Sequence, residues 1–393
     1  MTVLAVVPVI AFWGLRLVDV VAGDFFEGPT TFAVGSDFSV LFTAATLVAE
    51  GEADQLYDFD SFQSAYREEI GRDPAANAVF AHPPIAALPF VPLTVLSWQQ
   101  AFVVWLAVSG ALLCAVGWLL VRRAALGFVV ASMVTVPTYL ALMMGQLTMA
   151  WLTVFAGIAV LARRTRDSRS GLAAAILVLK PTLLIGIGLW WLFDRNRWRA
   201  LAVLFGSSVA LVVASMPFVG ASWLDYPGAA FDFAELHSDS EAQWAQFSPW
   251  GFAGLLGVDS QSIGRAIGLA AVVIGIAAFL RLGRRAGDAS DVMVAASIVL
   301  ALWASPHVVA YDWALLGVAI VLIRRSHPGL DGVLAWSASV LAFVSIWSIV
   351  LGNWTRDQFG WTFQFAVVAL AVTAVIVALR LETADGPLGT SAS

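Results

Sequence analysis

Apolar runs of about 20 residues recur along nearly the whole chain, and this pattern limits the possible folds more than any other feature. A helix of about 20 residues is long enough to cross the hydrocarbon core of a bilayer. Hydrophobic residues make up 60% of the 393 residues and charged residues only 12%, about half the charged fraction of a soluble domain. The sequence therefore predicts an all-α, polytopic transmembrane helical bundle.

Ten segments predict spanning helices, and they are 3–22, 98–121, 124–143, 147–162, 198–218, 262–281, 289–304, 308–323, 331–351 and 358–380. Residues 83–96 contain four prolines, which favour a re-entrant or interfacial segment. Residues 171–193 carry basic residues on both flanks, so we expect them to enter and return on one side, turning at 179–181. Counting both arms of this hairpin gives about twelve transmembrane helices.

Charge predicts the orientation of the bundle. Basic clusters occur at 122–123, 163–169, 194–199, 281–285 and 324–325, whereas 24–73 holds eleven carboxylates against two arginines. We therefore expect the basic clusters and both termini in the cytoplasm and two acidic loops, about 24–82 and 219–261, outside a plasma (inner) membrane. Short amphipathic helices are expected near 61–70 and 223–233. Residues 1–381 are predicted to form one domain, and 382–393 a disordered cytoplasmic tail.

This topology gathers polar residues at the outer ends of the helices. They are Asp37, His82, Gln146, Ser248, His307, Tyr311 and Asp312, with Lys180 reaching the same side from the hairpin tip. Ionisable residues at membrane depth are costly unless they are paired or face water, so they indicate functional sites. The sequence therefore predicts an active site on the outer face.

Lys180 is the only lysine among 21 basic residues. A lysine at a helix end can instead extend its charge to the membrane interface. The apolar stretch before Lys180 and the proline after it favour a functional role. A compact ammonium group suits a phosphate, and His82 and His307 are candidates to donate further hydrogen bonds. Each histidine is equally compatible with an ordinary position at a helix end.

Two aspartates and a glutamine are further candidates for chemistry. Asp37 follows a flexible Gly-Ser pair, so it can be a catalytic base, a helix N-cap, or both. Asp312 lies near the start of an apolar helix, where it needs a site or an ion-pair partner. Gln146 occupies a Gly-Gln break between two helices, where a neutral amide can hold a polar ligand.

Several other chemistries lack their sequence signals. Cys114 is the single cysteine and the four histidines are scattered, so the sequence predicts no disulfide and no zinc motif. No basic stripe indicates a nucleic acid partner, and no glycine fingerprint indicates a nucleotide-sugar site. We predict no cofactor and no metal site.

An ordered set of motifs resembles glycosyltransferase family 87, a group of integral-membrane GT-C enzymes. The motifs are Asp37-Phe38, the block 53–58 ending in Leu-Tyr-Asp, His82-Pro83-Pro84, Gly145-Gln146, Leu179-Lys180-Pro181, Arg197-Trp198-Arg199, Ser305-Pro306 and Tyr311-Asp312. The resemblance covers about residues 10–375. This chain has His82 where the family usually has tyrosine.

The resemblance implies transfer of one sugar, mannose or another hexose, from a polyprenyl-phosphate donor to a glycolipid or glycan acceptor. It implies inversion at the anomeric carbon and matches Asp37 to the expected general base. Lys180, His307 and His82 would contact the donor phosphate, and Gln146, Tyr311, Asp312 and Ser248 the substrates. Membrane lipids are expected partners. Two alternatives remain open: a flippase or transporter of lipid-linked sugars, and a polymerase or ligase of lipid-linked glycans.

Overall fold

The computed structural model describes residues 34–71, 78–238, 246–251, 261–286, 289–359 and 365–384. In these ranges the backbone is almost entirely helical, and the one strand-like pairing is an isolated bridge between Gln246 and Val309. The predicted all-α class is thus confirmed for the described part of the chain. The predicted first span, 3–22, and residues 385–393 of the predicted tail lie outside the described residues.

We number the described α-helices in chain order. They are α1 Ser36–Glu50, α2 Phe59–Ile70, α3 Trp98–Val121, α4 Ala125–Met133, α5 Val136–Met144, α6 Thr148–Arg163, α7 Asp167–Ala175, α8 Leu184–Phe193, α9 Trp198–Val219, α10 Ser222–Ser238, α11 Gln261–Ala286, α12 Ser290–Ala304, α13 Leu315–Ser326, α14 Asp331–Phe359 and α15 Phe365–Ala384. Short 3₁₀ turns at Ala53–Tyr57, Pro84–Leu93, Arg122–Ala124, Ile176–Leu179, Pro181–Leu183, Arg195–Arg197, Ala310–Ala314 and Pro328–Leu330 connect them. The predicted amphipathic helices near 61–70 and 223–233 correspond to α2 and α10.

Four described stretches are long and apolar enough to cross a membrane, and they are Trp98–Met133, Arg195–Val219, Ile263–Arg285 and Pro328–Ser345. They support a membrane protein, whereas the count of about twelve spans is not confirmed and stays a prediction. The predicted span 124–143 is interrupted between α4 and α5, next to Pro137, because proline removes a backbone donor and clashes with the preceding turn. The predicted span 308–323 begins as the 3₁₀ turn Ala310–Ala314.

The outward faces of the long helices are apolar. On α9, the exposed side chains include Phe205, Val209, Val213 and Met216, spaced three or four residues apart and therefore on one face. Such a continuous apolar face would be unfavourable in water and is stable against lipid. The exposed stripe on α9 therefore indicates a surface that faces the bilayer.

Helices α6, α12 and α13 pack against one another and form the centre of the bundle. Side chains on nearly every face of α12 are buried, and Trp151 of α6 is fully buried. The 16 residues of α6 give it a length of about 24 Å. Gln146 precedes α6 and Arg163 ends it, while Asp312 precedes α13 and Arg325 lies in its last turn. These helices therefore separate two polar ends of the molecule.

Residues 171–193 form the predicted hairpin. The helical backbone is interrupted at Lys180, which lies between two 3₁₀ turns. Arg197 donates to Asp167 at 2.6 Å, so the entrance and the exit of the hairpin meet. Gly186 of α8 allows close packing on α12, since a Cβ there would lie 2.4 Å from the Ser297 carbonyl oxygen. The segment thus returns to the side on which it begins, with Lys180 at the interruption.

Candidate active site

Asp37 lies in the first turn of α1, where the start of this helix meets the end of α5. Gly35, with φ of +75°, occupies the N-cap position, and its N–H donates to the Met143 carbonyl at 2.7 Å. No side-chain cap hydrogen bond occurs at this helix start. The capping role that the sequence left open for Asp37 is therefore not observed, because a glycine takes that position. The carboxylate is still favoured there by the positive end of the helix dipole.

Gln146 reaches Asp37 because the chain turns tightly at Gly145. Gly145 has φ of +76°, and a Cβ there would lie 2.5 Å from the Phe38 Cβ, so a larger residue would force the two segments apart. The Trp105 indole N–H donates to the Gly145 carbonyl at 2.9 Å and fixes this turn. The Gln146 amide Nε2 then donates a hydrogen bond to Asp37 Oδ2. The predicted Gly-Gln break thus delivers an amide to the carboxylate.

The environment of Asp37 suits a base that works near neutral pH. Burial raises the pKa of Asp37 to about 6, while the hydrogen bonds from Gln146 and Ser36 oppose this rise. Farther charges add smaller effects, with Asp312 raising the pKa and Lys180 lowering it. At pH 7 most of the carboxylate is ionised, and its proton affinity is still close to that useful for general-base catalysis.

Lys180 and Asp312 form an ion pair deep in the protein. Lys180 Nζ lies 2.5 Å from Asp312 Oδ1, and the two side chains are 15% and 1% exposed. Asp312 Oδ2 also accepts a hydrogen bond of 3.3 Å from the Val309 N–H. An ammonium group has three N–H donors, so this pair leaves donors of Lys180 for a further acceptor. Of the two roles that the sequence allowed for Asp312, the structure shows the ion pair.

Tyr311 connects this ion pair to Asp37. Its side chain is hydrogen-bonded to Gln146, and Lys180 Nζ lies 5.9 Å from its ring centroid. The contact arises because α5 packs against the turn Ala310–Ala314. Asp37, Gln146 and Tyr311 therefore lie next to one another, with Tyr311 beside the Lys180–Asp312 pair.

His82 is held close to this cluster by the segment that precedes the proline block. The Tyr57 hydroxyl donates to the His82 carbonyl at 2.7 Å, and the Phe80 and His82 rings are 5.9 Å apart. Burial lowers the pKa of His82 to about 4, and the charge of Lys180 adds to this effect. The imidazole is thus neutral at pH 7, so it can offer a phosphate a hydrogen bond but not a positive charge.

His307 and Ser248 lie on the segments that pack beside the Ala310–Ala314 turn. The Ser305 hydroxyl donates to the His307 carbonyl at 2.9 Å, and the Phe247 N–H donates to the Val308 carbonyl at 2.6 Å. Ser248 is fully buried, and its hydroxyl accepts a 3.5 Å hydrogen bond from the Gly251 N–H. Direct contact of either residue with a substrate stays a prediction.

Tyr66 was not predicted from the sequence. Its hydroxyl is 2.9 Å from the hydroxyl of Ser39, which is two residues after Asp37. Burial raises the pKa of Tyr66, with a smaller rise from the charge of Asp37. The available signal was the spacing of Phe62, Tyr66 and Ile70, which form one buried face of α2. That pattern places Tyr66 on the buried face of α2 but does not say which polar group it meets.

No group of three or more His, Cys, Asp or Glu side chains that could hold a metal ion occurs among the described residues. Asp37 and Asp312 are instead separated by Gln146 and Tyr311, each carboxylate having a hydrogen-bond donor of its own. The absence of a metal and of a cofactor stays a prediction.

A comparison with protein-family models matches residues 80–306, more than half of the chain, to glycosyltransferase family 87. The matched range includes His82, Gln146 and Lys180, while Asp37 precedes it and Asp312 follows it. No curated protein and no solved structure matches the chain.

Proposed function

The chain belongs to glycosyltransferase family 87, and on that premise we propose that it transfers one hexose from a polyprenyl-phosphate-sugar to a glycolipid or glycan acceptor. Family membership and the apolar helices support a membrane glycosyltransferase. The donor, mannose as the first candidate sugar, the outer face of the plasma membrane as the site of reaction, and inversion at the anomeric carbon are parts of the proposal.

The observation that carries this proposal is the Asp37 carboxylate, held by the Gln146 amide close to the partly buried Lys180. In the proposed reaction Asp37 takes the proton of the acceptor hydroxyl as that oxygen bonds to the anomeric carbon. The bond from this carbon to the phosphate oxygen breaks, and polyprenyl phosphate leaves with the electron pair. Attack from the face opposite the leaving group inverts the anomeric carbon.

Gln146 is proposed to act through Asp37 as a positioning residue. Its amide nitrogen holds one carboxylate oxygen, which directs the other oxygen toward an acceptor. The hydrogen bond with Tyr311 orients the amide in turn. This support matters because general-base catalysis requires the base within hydrogen-bond distance of the proton it removes.

Lys180 is proposed to contact the leaving phosphate. Negative charge grows on that phosphate in the transition state, and a cation already in place stabilises this growing charge. Asp312 holds the Lys180 side chain in one orientation at 2.5 Å, and the remaining N–H donors can bind the phosphate. His82, which is neutral, and His307 are candidates for additional hydrogen bonds to the same group.

The rival functions predict different products. A flippase or transporter of lipid-linked sugars would move the donor without breaking the glycosidic bond. A polymerase or ligase would move a whole oligosaccharide and not one sugar. Family membership favours a glycosyltransferase over a transporter, and the size of the transferred group distinguishes the enzyme classes.

A donor assay tests the proposal. Purified protein in nanodiscs would receive radiolabelled polyprenyl-phosphate-mannose and an extract of glycolipids, with a nucleotide-linked mannose as the parallel donor. We expect label in a product that is larger by one hexose, only from the lipid-linked donor, and with inverted linkage. Transfer from the nucleotide sugar alone, or flipping of every lipid-linked sugar without transfer of any, would contradict the proposal.

A further inference from the structure

A polar cavity lies at the end of α6, α12 and α13 that is opposite Asp37. Its volume is ≈ 560 Å³, which is within the range of about 300–1,000 Å³ typical of ligand sites. Three arginines line it, Arg163, Arg197 and Arg325, each from a different predicted cytoplasmic cluster. The structure thus gathers three distant basic clusters around one space.

Two of these arginines are each paired with a carboxylate at hydrogen-bond distance. Arg325 donates to both oxygens of Asp291, at 2.8 and 2.7 Å, and Asp291 is buried. Arg197 donates to Asp167 at 2.6 Å and to the Ser290 hydroxyl at 2.9 Å. The Arg325–Asp291 pair is forked, a geometry that satisfies both partners.

Arg163 is the third arginine of the cavity, and the two aspartates there are already paired with the other two arginines. Its NH1 lies 3.8 Å from Asp291 Oδ2, an oxygen that already accepts from Arg325, and its side chain is 50% exposed. Among the lining residues that the structure describes, three arginines face two aspartates. Helix α12 also begins here without a side-chain cap hydrogen bond, so its positive end adds to the field. The cavity therefore favours an anion beside Arg163.

The neighbouring space is lined mostly by apolar side chains and indicates what kind of anion fits. A second cavity of ≈ 290 Å³ has Leu189, Trp190, Phe193, Phe279 and Leu280 in its lining, together with the polar Asp194, Asn196 and Arg284. Asn196 also lines the polar cavity. A free phosphate would use only the polar cavity. An anionic lipid would fill both, with its phosphate at Arg163 and the start of an acyl chain along α8 and α11.

We propose that these neighbouring cavities together bind an anionic phospholipid, and that Arg163 is the principal contact for its phosphate. Basic pockets between membrane helices on the cytoplasmic side are known to suit such headgroups. This site is about one helix length from Asp37 and is independent of the proposed reaction. The predicted role of the bound lipid is to hold the entrance and exit of the hairpin beside the ends of α12 and α13.

Native mass spectrometry of the purified full chain in detergent tests the proposal by titration with phosphatidylglycerol and phosphatidylcholine. We expect tighter binding of phosphatidylglycerol, and about tenfold weaker binding of it in Arg163→Gln, because one charge-assisted contact is lost. Arg123→Gln is the matched control, since Arg123 is also an exposed arginine at a helix end and lines neither cavity. Equal affinity for both lipids, or an unchanged affinity in Arg163→Gln, would overturn the proposal.

Two further arms identify the source of the phosphate. Phe193→Ala, at a side chain that is 64% exposed, should weaken phosphatidylglycerol several-fold through the lost apolar contact. Inorganic phosphate at equal concentration should compete poorly for the site. Competition as strong as that of the lipid, together with no effect of Phe193→Ala, would assign the cavity to free phosphate and overturn the lipid proposal.

Discussion

The same three helices, α6, α12 and α13, carry polar clusters at both ends, and the clusters differ in how their carboxylates are satisfied. At one end, Asp291 receives a forked pair of hydrogen bonds from Arg325 at 2.8 and 2.7 Å. At the other end, Asp37 accepts a hydrogen bond from the neutral amide of Gln146, and burial raises the pKa of Asp37 to about 6. Both oxygens of Asp291 are occupied by guanidinium donors, whereas the raised pKa of Asp37 lets that carboxylate accept a proton near neutral pH.

The difference shows that burial of charge does not by itself identify a catalytic site. Asp291 and Asp312 are both nearly inaccessible, yet each is paired directly with a cation. Asp37 differs because a neutral amide is its closest donor and Lys180 acts on it only as a smaller, more distant charge. The hydrogen-bond partner therefore distinguishes the proposed reactive carboxylate from the structural ones. Substitutions at the two ends should accordingly differ in their effects on stability and on sugar transfer.

The largest expected effect follows from Asp312→Asn. This change leaves Lys180, whose side chain is only 15% exposed, without its counterion, and should lower the free energy of unfolding by about 3–5 kcal/mol. The double change Lys180→Gln with Asp312→Asn should restore much of that stability but not sugar transfer, since the cation is then absent. Thermal unfolding in detergent measures the first effect and donor transfer the second. If Asp312→Asn were as stable as wild type, that result would contradict a stabilising role for this ion pair.

The next effect concerns the pH dependence of stability at Asp37. Its pKa in the folded protein, about 6, is above the ordinary value of 3.8, so folding favours the protonated form. The stability from this group is present below pH 3.8 and is lost as pH rises through 6, a difference of about 3 kcal/mol. Asp37→Asn should therefore match wild type at pH 4 and unfold at a higher temperature at pH 7.5. A lower unfolding temperature at pH 7.5 would show that Asp37 stabilises the fold when ionised.

At the opposite end, the same change from aspartate to asparagine should lower the stability of the protein at pH 7.5 and not raise it. Asp291→Asn removes the negative charge and one of the two oxygens that accept from Arg325, and should cost about 1–3 kcal/mol of unfolding free energy. The loss is smaller than at Asp312 because the Arg325 side chain is 23% exposed and water can solvate it. Unfolding curves of Asp291→Asn and Asp37→Asn at pH 7.5, measured together, give the comparison. Stabilisation by both changes would remove the distinction between the two ends.

The smallest effect is expected for Gln146→Leu. The amide lowers the pKa of Asp37, so its loss should move the pH midpoint of transfer upward and slow the reaction at pH 6.5 by about threefold to tenfold. Rates above the shifted midpoint should recover in part if Gln146 only positions the base. Single-turnover rates from pH 5 to 8.5 test this. An unchanged midpoint with a uniformly lower rate would assign Gln146 to substrate binding instead.

The sequence predicted which residues would gather but not how they would pair. The positions of Asp37, Gln146, Lys180 and Asp312 at one end followed from hydropathy and charge. The hydrogen bonds join residues 109 and 132 positions apart, and local patterns carry no information about such contacts. The sequence left Asp37 open as the N-cap of α1, whereas in the structure Gly35 has that position and its N–H donates to the Met143 carbonyl.

The other end was harder to interpret from sequence. Arg163 and Arg325 were predicted only as cytoplasmic charges, and Arg197 also as part of the Arg197-Trp198-Arg199 motif. The pairing of Asp291 with Arg325 was missed. An acid at the first turn of a helix and an arginine at the last turn are ordinary dipole-favoured positions, so neither stands out along the chain. Only the packing of α12 against α13 makes them partners.

The central claim is that Asp37 is the base of a membrane glycosyltransferase, and one measurement tests it most directly. Single-turnover transfer of one hexose from the lipid-linked donor would be compared for wild type, Asp37→Asn and Asp291→Asn in nanodiscs at pH 7.5. The account predicts a loss of about 10²- to 10⁴-fold for Asp37→Asn and a change of less than about threefold per folded molecule for Asp291→Asn. Near-wild-type transfer by Asp37→Asn would contradict the account.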